Sequence, residues 1–362
     1  MNLSRIKRWI LLGHRWLGIG TCLLFFLWFL SGMVMMYVGH PKLTWQERLE
    51  HLPPLEASQP LLSPADAFSR AGIHGTVTDL RLANARAGQP VYIARIRPDT
   101  RPAPDAPRPE PHLVALDART GALLPPTDPA TALGSAQVYL EQGGLSPTSS
   151  STTRPATSPR QPSPASAQDT PGKPLYQGIT VEDAHTHSAA MDLHRPLHKV
   201  LLPDAEQTLL YISGTTGEVV RDAPRLERGS NYLGAWLHWL YLFRDTAIDW
   251  TDLIIWLSVI GTVATLSGFL SGIIRWRFSR PCRSGSRSPF APGALRWHHI
   301  LGLVFALTTF TWIFSGLMSM NPWDIFEADE SIIDARRISS PDIQLSHATA
   351  TPQALLASAT RA

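Results

Sequence analysis

Apolar residues are pooled along this chain rather than dispersed. Residues 16–41, 253–274 and 297–323 contain no Asp, Glu, Lys or Arg, giving uncharged runs of 26, 22 and 27 residues. A hydrocarbon core of about 30 Å needs roughly 20 helical residues, so each run is long enough to span a bilayer. The pattern predicts transmembrane helices over 10–39, 251–274 and 295–321. Between the first two, the period shortens. Alternating runs at Val77–Leu82, Val91–Ile96 and Leu113–Leu116 predict strands, and Ser63 before Pro64 predicts the start of a short helix.

Two phrases recur. The stretch from Asp117 to Leu124, with a turn at Gly121, returns 96 residues later in Leu209–Val220, with its turn at Gly217. Two related strand–turn–strand modules are expected, over 57–145 and 175–228. Six prolines in 98–111 mark an exposed loop inserted between strands. Residues 146–174, rich in Ser, Thr and Pro and without large apolar side chains, are expected to be a disordered linker. The aromatic stretch 229–250 follows, and its uncharged part, Gly229–Phe243, is too short to span. It reads as an interfacial helix.

The second repeat lies within the apolar runs. At a constant offset of 284, His14 pairs with His298, Leu17 with Leu301, Gly18 with Gly302, Leu23 with Leu307, Phe26 with Phe310, Trp28 with Trp312, Ser31 with Ser315, Gly32 with Gly316 and Met36 with Met320. Apolar bias does not supply His, Trp and Ser-Gly in register, so spans one and three form a parallel repeat. The glycines at 18, 32, 302 and 316 are expected to let helices approach closely.

Charge placement adds orientation. Arg5, Lys7, Arg8 and Arg15 precede the first span, and the loop 275–294 is Arg-rich without an acid. The positive-inside rule makes 1–9 and 275–294 cytoplasmic, with 41–250 and the tail 322–362 outside. The first run is too long for a cleaved signal peptide, and Met35-Met36-Tyr37-Val38 lacks a small-x-small site. The expected fold is thus an α+β membrane protein, N-in and C-out, with three transmembrane helices and an α+β domain between helices 1 and 2. Nucleic acid is not an expected partner.

Only Cys22 and Cys282 are present, which excludes disulfide frameworks, iron–sulfur sites and covalent C-x-x-C-H haem attachment. No nucleotide-binding loop or nucleophile elbow appears. The repeat puts His14 and His298 at one depth on two parallel helices, an arrangement suited to a non-covalent b-type haem, with Arg15 and Arg296 placed to pair its propionates. Interfacial histidines anchoring helix ends give the same spacing. His299 points about 100° away from His298, so one of the two faces a given partner. Met33, Met35, Met36, Met318 and Met320 lie at the outer helix ends, as packing groups or axial ligands. His185 and His187, with His194 and His198 nearby, are candidate metal ligands if the His-x-His lies on a strand.

These motifs, His14-Arg15-Trp16-Leu17-Gly18, Trp28-Phe29-Leu30-Ser31-Gly32, His194-Arg195-Pro196-Leu197, Thr216-Gly217-Glu218-Val219-Val220, and Trp297-His298-His299-Ile300-Leu301-Gly302 through Asn321-Pro322, resemble the PepSY-associated transmembrane-helix family of bacterial inner-membrane proteins. The resemblance covers about residues 5 to 325 and implies a multi-pass, iron-regulated inner-membrane protein with a periplasmic PepSY-like domain. It is similar to haem-containing siderophore reductases, oxidoreductases that take electrons from a separate donor. By this resemblance His14, His298 or His299, His238 and His194 are candidate haem ligands, and a ferric siderophore or periplasmic protein is the expected partner. The family plan has four helices, and here the second unit stops about 40 residues after its first span. A cofactor-free PepSY-type interaction or protease-regulating protein, or a truncated degenerate copy, is the alternative.

Overall fold

A computed structural model describes residues 3–56, 58–73, 75–97, 110–144, 172–244, 246–283, 285–326 and 343–359. In chain order the helices and strands begin with α1 (Leu3–Tyr37), α2 (Trp45–Glu50), α3 (Pro64–Ala71), β1 (Thr76–Arg86), β2 (Gln89–Arg97), β3 (His112–Asp117) and α4 (Pro129–Gln142). They continue with β4 (Leu175–Thr180), β5 (Leu197–Leu201), β6 (Leu209–Ser213), β7 (Val219–Ala223), α5 (Arg225–Asn231), α6 (Trp250–Arg275), α7 (Ala294–Ser319) and α8 (Pro352–Ala359). Two compact units result. Met1–Val38 and Tyr232–Ile332 make a helical unit, and Gly39–Asn231 with Ile333–Ala362 make an α/β unit.

In the helical unit, α1, α6 and α7 are each long and apolar enough to cross a membrane. Asp249 caps α6 by accepting from the Asp252 amide at 3.0 Å. α6 is the common neighbour of α1 and α7. The glycines that admit close packing are its own. A Cβ at Gly261 would stand 3.1 Å from Phe25 and one at Gly272 2.6 Å from Leu303. The expectation for the repeat glycines is corrected: a Cβ at Gly18, Gly302 or Gly316 meets nothing within 4 Å, and only Gly32 is approached, by Trp312 at 3.3 Å. The single interfacial helix is corrected as well. After α5 the chain makes a π-helical turn at Tyr232–Trp236, breaks at Leu240 with φ of 51°, and ends in a 3-10 turn at Tyr241–Phe243.

The α/β unit contains two antiparallel sheets, β1-β2-β3 and β4-β5-β6-β7. The first is capped by α3, whose Ala67 and Phe68 join Val77, Tyr92, Ile96 and Leu116 in a buried cluster. Ser63 and Pro64 start α3, Ser63 Oγ accepting from the Asp66 amide at 3.1 Å. The second sheet is covered by α4, whose Ala132, Ala136, Tyr139 and Leu140 pack with Val200, Leu202, Leu210 and Ile212. α4 thus joins the second core, which corrects the expectation of a first module running over 57–145. Residues 146–174 then interrupt the second module between its helix and its first strand. Most of that stretch, like most of 98–111, lies outside the described residues.

The repeated phrase folds alike in both modules. The Gly121 amide donates to Asp117 O at 2.8 Å and the Gly217 amide to Ser213 O at 2.9 Å, and both glycines have φ of 77°. The tail returns to the first module: the Ile343 amide donates to Val77 O at 2.9 Å, and Ile343 and Leu345 pack against its core.

Candidate functional site

His14 on α1 and His298 on α7, related by the repeat, face one another. Their ring centroids are 6.3 Å apart with planes 18° from parallel. With a nitrogen of each ring turned toward it, one ion would fit between them: a metal–imidazole bond of about 2 Å plus roughly 1 Å from nitrogen to ring centre gives a centroid spacing near 6 Å. His14 Nδ1 lies 3.3 Å from Ala264 O and 3.5 Å from Ser267 Oγ, both on α6. The Ser267 hydroxyl itself donates to Ala264 O at 2.8 Å. Nδ1 therefore carries the proton and Nε2 is left as the lone-pair nitrogen, the orientation a ligating histidine needs.

The ring is seated by Gly268, where a Cβ would come within 2.8 Å of His14 Cε1. One turn from each histidine, on the same face, stand Gly18 and Gly302, with clear space beyond them. Arg15 lies over the Trp16 ring at 5.9 Å and Arg296 is half-buried, both within two residues of a histidine.

The structure distinguishes His298 from its neighbour. His299 is buried and uses both ring nitrogens, Nδ1 with Ser288 Oγ at 2.8 Å and Nε2 with Gly272 O at 3.0 Å. Trp276 and Phe290 pack edge-on against it. It fastens the 276–293 loop to α6 and has no nitrogen to spare. His238 stands elsewhere in the helical unit, with Nδ1 3.1 Å from Ser31 Oγ.

His194 belongs to the α/β unit. Ser213 Oγ already accepts from the Thr215 and Thr216 amides at 3.2 and 3.0 Å, so its own proton goes to His194 Nδ1 at 3.1 Å. His185 and His187 lie in the irregular segment before the 3-10 turn Ala189–His194, correcting the strand placement on which a shared face depended. His185 Nδ1 meets Asn231 Nδ2 at 3.2 Å, and His187 pairs with Glu182. Among the described residues no group of three or more His, Cys, Asp or Glu is arranged to hold a metal ion.

The sequence reading missed a buried ionic cluster. Glu218, 2% exposed, accepts from Arg48 Nη1 at 2.7 Å and Arg81 Nη2 at 2.5 Å. These come from α2 and β1, so one carboxylate ties three segments together. A signal was present: Glu218 stands where the first copy of the turn phrase has Ala122. Beside it, burial pushes His194 down to about 4, against the opposing pull of Glu218 at 3.9 Å.

Compared with protein-family models, curated proteins and solved structures, the chain matches none.

Proposed function

We propose that this chain is a bacterial inner-membrane electron-transfer protein of the PepSY-associated kind, holding a b-type haem between His14 and His298 and reducing a ferric chelate on the periplasmic side. The observation that carries the reading is the near-parallel imidazole pair at 6.3 Å. When bound, the haem supplies one-electron exchange. The protein's part is orientation: Ala264 O fixes the His14 tautomer, Gly268 admits the ring, and Arg15 and Arg296 are near enough in sequence to meet propionates. The Arg-rich segments favour the cytoplasmic side for the histidine end, and the α/β unit is then the periplasmic, PepSY-like part. Iron leaves a hard oxygen chelator more readily once reduced, because lower charge weakens every iron–oxygen contact.

Detergent-extracted protein is expected to show a Soret band and, with dithionite, a sharp α-band. His14→Ala or His298→Ala should abolish both, while His299→Ala keeps them in whatever protein folds. A colourless wild-type protein, or an unchanged spectrum in His14→Ala, overturns the reading. Gly268→Leu makes a separate prediction. Its side chain enters the space of the His14 ring, and haem content measured as pyridine haemochrome should fall at least tenfold with the protein still extractable.

A further inference from the structure

The helical unit has a second feature, which the haem reading does not use. A cavity of about 100 Å3 lies among α1, α6, α7 and the segment after the π-helical turn, with Phe25, Phe29, Trp239 and Trp312 as aromatic walls. An enclosed cavity of ~150 Å3 accommodates benzene, so this space is too small for a tetrapyrrole and admits a six-membered ring only by using its open side.

Trp28, His238 and Ser258 bring polar groups into the apolar lining, and the first two bear on a ligand. Trp28 Nε1 is buried without a hydrogen-bond partner, so an N–H donor is on offer. His238 supplies the complement. The Ser31 hydroxyl donates to Leu27 O at 2.7 Å, so at 3.1 Å it accepts from His238 Nδ1–H, which leaves His238 Nε2 as an acceptor. The Trp28 and His238 rings are 6.4 Å apart, close enough for one ligand hydroxyl to donate to Nε2 and accept from the indole N–H. Among the lining residues Phe29, Trp312 and Gly316 are exposed, so the cavity opens on a face that lipid covers in a bilayer.

We infer that this cavity binds the phenolic headgroup of a lipid-soluble hydroquinone, its hydroxyl held by His238 and Trp28 and its hydrophobic tail leaving past Gly316. The donor–acceptor pair and the access from lipid fit that class. Resting on the proposed function, the site is where reducing equivalents enter. Oxidation of one hydroquinone to quinone breaks two O–H bonds and releases two protons and two electrons. The protons leave to solvent, and two ferric chelates take one electron each.

The test uses the full chain in lipid nanodiscs, as wild type and in a His14→Ala background, with decylubiquinone as probe and bound quinone measured by spin separation and extraction. Saturable binding is expected in both backgrounds. Trp28→Phe should weaken it about tenfold, the equivalent of one buried hydrogen bond. Gly316→Phe should abolish it by filling the mouth with the protein still folded, because the position is exposed and a Cβ there meets no atom within 4 Å. Equal affinity in all variants, uptake that never saturates, or equal displacement by decane overturns the proposal. Because binding is read without haem, failure here leaves the His14–His298 reading intact, and a missing Soret band leaves the binding result intact.

Discussion

Replacing Glu218 with Ala is expected to open the α/β unit by roughly a hundredfold, equivalent to about 3 kcal/mol. The carboxylate is almost wholly buried and is shared by two guanidinia. Arg48 and Arg81 keep 18% and 24% of their side-chain surface, so water screens part of the loss and the effect belongs at the lower end for a broken buried pair. Removing Glu218 also leaves two positive charges facing each other across the seam between α2 and β1. Hydrogen exchange of the full chain reads the outcome, with β6 as reporter, since Leu209–Ser213 is buried along its whole length. Protection unchanged from wild type would mean that the cluster adds nothing to stability. Arg48→Met combined with Arg81→Met in the Glu218→Ala chain should restore much of the protection, because no charge is then left stranded.

Acidification is expected to have a comparable effect through two histidines. Burial holds His185 and His194 each down at about 4. For His194, Arg81, Arg48 and Arg95 push the same way, and Glu218 opposes without prevailing because its charge is already shared. For His185, Asp183 opposes burial while Arg228, His40 and Arg221 add to it. The folded values lie below the unfolded value of 6.5, so the unfolded chain takes up protons first as pH falls. The stabilisation is complete above about pH 6.5 and is lost toward pH 4, with a ceiling of about 3 kcal/mol for each histidine. Opening of β6 measured by exchange between pH 7 and pH 4.5 should rise steeply, and His194→Gln should flatten part of that slope. A pH-independent opening free energy across this window would refute the assignment.

The long-range order of the helical part was legible because membrane crossing imposes length and a ban on charge, and both are written directly in the chain. The offset of 284 further matched His14 with His298. What stayed hidden depends on the third helix. α6 shares none of the repeat, yet its Gly268, Ala264 and Gly272 decide how His14 is seated and which nitrogens of His299 are taken. Small residues in a sequence announce neither their face nor their neighbour. In the α/β unit the alternating strands could be read from their period. The allegiance of α4 could not, since a helix with apolar residues such as Ala132, Ala136 and Leu140 can cover either sheet, and a long insertion separates it from the one it covers. Glu218 was overlooked for a related reason: its partners lie 137 and 170 residues away in the chain.

The return of the tail fixes a parity. Ile343 pairs with Val77 and belongs to the same folded body as the segment that follows α1, so in a bilayer crossed by these helices both would emerge on one side. An even number of crossings would then separate them, and α6 and α7, each long and apolar enough to cross, would supply two. Deleting either helix would strand residues 343–359 on the opposite face from β1. The first core would lose Ile343 and Leu345, and the damage would surface far from the excised segment.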